Sequence, residues 1–323
     1  MIRLFLGNRF GVLLTLPFFI GFYIFLNYHY PYYHIAEKIN LGFWSSAFSG
    51  PVWLNMLLGG LLILINSIGL NWIFNSHEFL DRNSYIVSLL YVVTMSFYHS
   101  FYSVDGLLIA QTFVICMLSQ FFQLKQNTDG RQHVFNGFFF AGIAATFHPY
   151  LIFSFPVLIA MILIIRPFNF REFFLAIAGF LIPLIYALVF QLYFDNQLNF
   201  QILKNSTNFQ LQTDFLITLI FFGILLLLGT FSLRTRMQNS SIRLKKQIQI
   251  IWLLVFLSLS FGIIDFIYFF QIERFSLLLI PLSILLTYSF LHKSYGIISS
   301  IVFYLTIIYS VVKFFLVIPN AQS

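Results

Sequence analysis

Charged side chains are so sparse along this chain that they divide it into long apolar windows of about the length of membrane crossings. A bilayer core of about 30 Å takes roughly 20 helical residues to cross. Windows nearly free of charge fall at about 10–28, 52–74, 84–101, 106–124, 134–147, 150–165, 173–194, 215–232, 248–264, 275–291 and 296–314. The pattern predicts an all-α, polytopic transmembrane bundle of about eleven spans. Its most informative stretch lies between Arg131 and Arg166, where thirty-four residues carry no Asp, Glu, Lys or Arg. That is too long for one crossing and only just enough for two. His148-Pro149-Tyr150 sits near its middle and Pro156 follows. Proline lacks a backbone donor and clashes with the preceding turn, so it ends or kinks a helix. The expectation is a helical hairpin with a tight corner at His148-Pro149 and arginine anchors on one membrane face.

Composition sharpens the class. Hydrophobic residues make up 60% of the 323 and charged ones 8%, against about 25% charged in soluble domains. An integral membrane protein follows, rather than a soluble enzyme with an anchor. No long polar stretch separates a second unit, so 1–323 reads as one transmembrane domain. The N-terminal MIRLFLGNRFGVLL lacks a small-residue cleavage site and runs on to spanning length, so it reads as the first helix. Lone Cys116 excludes an intrachain disulfide.

Charge sets the orientation. With the N-terminus inside, thirteen basic residues lie in the cytoplasm and only Lys38, Lys204, Arg274 and Lys313 lie outside. This is the asymmetry of the positive-inside rule, and it predicts an N-in, C-out protein. The net charge of +7 is therefore topology and implies no nucleic-acid partner. The largest cytoplasmic loop, 232–249, has five basic residues and no acid. It reads as an anchor meeting anionic lipid head groups, or as a surface for a protein partner.

Two outer loops are sizeable. In the first, Ile35, Ile39 and Phe43 recur every four residues, and Trp44 and Phe48 continue the apolar side. That spacing predicts a short amphipathic helix in the interface. The tyrosines before it, with His29 and His34, read as interface anchors. The second, around Lys204, is rich in Asn and Gln and suits contact with sugar hydroxyls.

Candidate chemistry collects on the outer side. Asp265 lies in GIIDFIYFF and Glu273-Arg274 in FFQIERFSLLL, each flanked by apolar residues. Ionisable groups at membrane depth cost several kcal/mol by order of magnitude, so they pair or serve a pathway. Their structural alternative is that Glu273 and Arg274 neutralise each other or nearby partners at the outer rim and Asp265 caps a helix end, and for His148 a bond to a carbonyl freed by the proline. No Gly-rich phosphate loop, paired-cysteine site or zinc helix motif is present. No cofactor is called for, and no ligand spacing supports a divalent cation.

Three stretches carry a resemblance: DRNSYIVSLLYVVTMSF, VFNGFFFAGIAATFHPYLIFSFPVLIAMILIIRPFNFRE and ERFSLLLIPLSILLTYSF, about a third of the chain. They resemble an uncharacterised family of multi-pass inner-membrane proteins of Bacteroidota. In layout the chain is distantly similar to the superfamily-C glycosyltransferases, which use sugars carried on polyprenyl phosphate at an outer-face site. Those enzymes place an Asp, or an Asp-Glu pair, soon after the first helix. This loop offers Glu37, beside Lys38, instead. The resemblance implies Glu37 as general base and Arg274, with Lys204, as phosphate contacts. His148, Asp265 and Glu273 would shape the site. The expected function is binding or processing of a polyprenyl-phosphate-linked glycan at the periplasmic face of the bacterial inner membrane. A non-catalytic subunit of an envelope or secretion complex is the alternative, and a transporter or lipid flippase the third.

Overall fold

The computed structural model describes residues 2–7, 10–33, 41–44, 51–126, 129–195, 213–238, 240–269, 273–290 and 295–316. Among these residues the regular structure is helical, and one isolated bridge joins Leu41 to Trp44. The main helices are α1 Leu16–His29, α2 Val52–Ser76, α3 Ile86–Met95, α4 Gly106–Gln123, α5 Arg131–Phe147 and α6 Phe155–Ile165. Then come α7 Phe170–Asp195, α8 Thr213–Gln238, α9 Ile242–Phe269, α10 Leu279–Thr287 and α11 Tyr295–Leu316. Each apolar window of the sequence holds one of them. Short 3-10 segments lead into α1, α6 and α10 at Phe10–Thr15, Pro149–Ser154 and Glu273–Leu278.

Among the described residues, seven helical segments are long and apolar enough to cross a membrane, those built on α1, α2, α4, α7, α9, α10 and α11. The apolar surface agrees with this. On α7, Phe174, Leu181, Ile185, Val189 and Leu192 are all exposed, and their spacing forms one stripe down the helix. A water-facing helix would carry polar side chains there. The ten-residue α3 is buried at every position. Its neighbours include α2 and α10, and all nine residues of α10 are buried too. A ladder of neutral side chains ties this interior together. Asn66 Nδ2 donates to the Tyr91 hydroxyl at 3.4 Å, Tyr91 donates to Gln111 Oε1 at 2.6 Å, and Gln111 Nε2 donates to Ser276 Oγ at 2.9 Å.

The hairpin forms as its sequence requires. α5 stops at Phe147, and His148 is extended (φ −132°, ψ 92°) because the residue before a proline is disfavoured in helix. Pro149 opens the 3-10 turn and Pro156 stands at the start of α6. At the far ends the Arg166 guanidinium fills the space beside Gly130 and pairs with Glu172 at 3.2 Å. α5 also packs closely on α7: a Cβ at Gly142 would lie 2.5 Å from the Phe180 carbonyl oxygen, and one at Gly179 2.7 Å from that of Phe135.

One local expectation is corrected. Phe43 and Trp44 do not lie on an interfacial helix but in a tight turn, Leu41–Trp44. Gly42 has φ +68°, a left-handed conformation that ends any helix there. The remainder of that expected helix, with Glu37, lies outside the described residues, as does Lys204.

Candidate functional site at the His148 corner

The corner between α5 and α6, the end of α9 and the start of the α10 segment meet at one end of the bundle. Asp265, in the last turns of α9, is fully buried, and Arg274 is 8% exposed. Their Nη1–Oδ1 separation is 2.6 Å. Close approach of the two segments is possible because Gly262 has no side chain: a Cβ there would lie 2.7 Å from the Phe275 ring. The Arg274 guanidinium also lies over the ring of Tyr150 from the hairpin corner, with Cζ 3.4 Å from the ring centroid. The cation–π contact and the ion pair together offset the cost of taking a cation out of water.

His148 stands beside this pair, its ring 5.6 Å from that of Tyr150. Burial, reinforced by the positive charge of Arg274, lowers its imidazole to about pKa 3, so it is neutral at physiological pH. Its Nε2 is buried without a hydrogen-bond partner. The Asp265 oxygens face Arg274 as charge against charge, without a well-directed hydrogen bond.

Glu273 turns the other way. Its Oε1 accepts the His99 N–H at 3.3 Å, and its Oε2 is buried and unpartnered. Beside it, Asp105 caps α4 by accepting the Leu108 N–H at 2.7 Å and also accepts from the Ser100 hydroxyl at 2.6 Å. Burial pushes the Asp105 carboxyl pKa up from its ordinary value.

On the far side of Glu273 lies a cation the sequence placed at the outer rim. Lys313 is 1% exposed. Its Nζ donates to the Ser96 carbonyl at 2.6 Å and to the Tyr33 hydroxyl at 3.3 Å. The rings of Phe97, Tyr33, Phe314, Tyr32 and Tyr102 surround it at 4.7–5.9 Å. Tyr33 in turn donates to the Phe97 carbonyl at 2.8 Å, and burial, with Glu273 adding to it, raises its hydroxyl pKa well above the ordinary value. The sequence signal was a lone lysine in SVVKFFL together with a tyrosine-rich first loop; spacing alone does not reveal that the two meet.

The first loop is held at both sides of this end. Tyr33 meets Lys313, and the Leu41–Trp44 turn docks on the hairpin corner. Phe43 N–H donates to the Thr146 carbonyl at 2.9 Å, and Trp44 Nε1 donates to the Thr146 hydroxyl at 3.0 Å. The Trp44 ring packs against Phe147 and Phe190. In sequence, Glu37 is four residues from each anchor.

Of the residues singled out from the sequence, the structure thus joins Arg274 to Asp265 and sets His148 beside them. Glu273 belongs to a neighbouring cluster with His99 and Asp105. Comparison with known proteins finds no matching family model, no matching curated protein and no matching solved structure. The geometry therefore carries the functional reading.

Proposed function

We propose that this chain is an eleven-span protein of the bacterial inner membrane, N-terminus inside and C-terminus outside. Its His148 end faces the periplasm and binds a polyprenyl-phosphate-linked glycan. The observation that carries the reading is the buried Arg274–Asp265 pair, with the unpartnered Nε2 of His148 and Oε2 of Glu273 at the same end. Buried polar atoms are normally satisfied, and a phosphate and sugar hydroxyls would supply acceptors and donors here. Arg274 then holds phosphate through its planar fork, helped by Lys204. Glu37 takes the proton of an acceptor hydroxyl as its oxygen bonds the sugar carbon and the bond to the lipid phosphate breaks, the polyprenyl phosphate leaving with that electron pair.

The test is sugar transfer from a polyprenyl-phosphate donor in membranes containing the Glu37→Gln variant. A general base contributes roughly 10²–10⁴ in rate, so transfer falls by at least about a hundredfold while the yield of folded protein is unchanged. Full activity of Glu37→Gln removes the mechanism.

A second reading has its own observation. Arg274 is already engaged by Asp265 and Tyr150, as in a non-catalytic membrane subunit whose buried charges only hold the bundle together. Co-purification of one stoichiometric partner, with Glu37 substitutions tolerated, distinguishes it.

A further inference from the structure

At the opposite end of the bundle, five basic residues flank the turn between α8 and α9: Arg234, Arg236, Arg243, Lys245 and Lys246. Three of them are committed within the fold. Arg236 donates to Asp81 from Nη2 at 2.9 Å and from Nη1 at 3.1 Å, which keeps the Asp81 carboxyl below its usual pKa. Arg243 Nη2 lies 3.4 Å from His77 Nδ1, and Lys246 Nζ donates to the Ile165 carbonyl at 2.8 Å. Arg234 and Lys245 are different. Among the described residues their side chains have no hydrogen-bond or ion-pair partner, and both line one open groove of about 450 Å³.

The groove has a polar and an apolar part. Leu233, Arg234, Met237, Gln238 and Lys245 lie in the last turns of α8 and the first turn of α9, while Thr230 and Trp252 line the groove deeper in the bundle. Trp252 is seven residues along α9 from Lys245, about 10 Å further into the bundle at the helical rise of about 1.5 Å per residue. No acidic residue lines the groove. Two unneutralised cations at the mouth, with Leu233 and Met237 beside them and Trp252 below, match the layout of a phospholipid, charged at the head and apolar beneath. Basic pockets between membrane helices take anionic head groups on this physical ground, and tryptophan favours the same interfacial depth.

We propose that this groove is a binding site for one anionic phospholipid. Its phosphodiester lies between Arg234 and Lys245, and its glycerol and upper acyl segments lie on Leu233, Met237 and Trp252. The positive-inside rule asks only for basic residues on this side. The proposal is sharper, because it separates two groove residues from three that are spent on internal contacts. It is independent of the function proposed for the His148 end.

The experiment is native mass spectrometry of the full-length, delipidated protein in detergent. Phosphatidylglycerol and phosphatidylcholine of equal chain length are titrated into the native chain, the Arg234→Gln/Lys245→Gln variant and an Arg82→Gln/Arg171→Gln variant of equal net charge. The native chain and the Arg82/Arg171 variant retain one phosphatidylglycerol per chain in preference to phosphatidylcholine. Each basic residue near an anionic lipid surface contributes about fivefold, so loss of both groove cations weakens that binding by roughly thirtyfold. Equal binding of the two lipids by the native chain overturns the proposal without any variant. Equal loss in the two variants also overturns it, because the effect would then be diffuse charge. Undiminished binding by the Arg234/Lys245 variant overturns it too, and leaves the surface to a protein partner.

Discussion

Asp265→Asn is expected to destabilise the folded bundle by about 3–5 kcal/mol, the cost of leaving one member of a buried ion pair uncompensated. The carboxamide keeps the volume but loses the charge 2.6 Å from Arg274 Nη1. Arg274 remains buried against Tyr150, and a cation–π contact with one ring does not replace a carboxylate. The effect should appear in unfolding of the purified protein by sodium dodecyl sulfate. The same physics sets the control. In the Asp265→Asn/Arg274→Met double variant no charge is left uncompensated, so much of the lost stability returns. A single variant as stable as the native chain would mean that the pair is not closed in the membrane-embedded protein.

The second large effect is expected at Gly42. With φ at +68° it occupies the left-handed region, where an L side chain carries about 1–3 kcal/mol of strain. A Cβ there would also lie 2.4 Å from the Phe147 carbonyl oxygen and 2.6 Å from that of Thr146. Both are backbone atoms at the end of α5 and cannot swing aside. Gly42→Ala should therefore cost about 2–4 kcal/mol in strain and overpacking together. It should also release the Leu41–Trp44 turn from the hairpin corner, seen as faster proteolysis of the first loop. Gly21 in α1 is the contrast. Nothing lies within 4 Å of its added Cβ, so Gly21→Ala should be neutral or stabilise by about 0.5–1 kcal/mol. Equal behaviour of the two alanine variants would contradict the docked turn.

These two positions show what was legible in the sequence. Helix positions were, because a charge-free window is a property of composition along the chain and needs no knowledge of neighbours. The corner at His148-Pro149 was legible for a similar reason: proline acts on its own backbone. The turn at Gly42 was not, because the four-residue spacing of Ile35, Ile39 and Phe43 suits a helix until a left-handed residue interrupts it. Side-chain partnership was harder still. Glu273 and Arg274 are sequence neighbours but diverge on a 3-10 turn, one toward His99 and the other toward Asp265. Lys313 looks like a rim residue in sequence, and only the meeting of α11 with Tyr33 and the 96–102 corner makes it a caged cation. The Lys313 contacts join residues more than two hundred positions apart, and no local pattern encodes them.

The central claim is that the end of the bundle holding His148, Asp265 and Arg274 receives a phosphate-bearing lipid. The most direct measurement is photocrosslinking of the full-length protein in inner-membrane vesicles with a polyprenyl phosphate carrying a photoreactive group near its phosphate, read by peptide mass spectrometry. The expected result is adducts on the peptides around Tyr150 and Arg274 and on the first loop between Tyr33 and Trp44, all suppressed by unlabelled polyprenyl phosphate. Adducts confined to the end that carries Arg166 and Arg236, or labelling that unlabelled lipid does not displace, would contradict it.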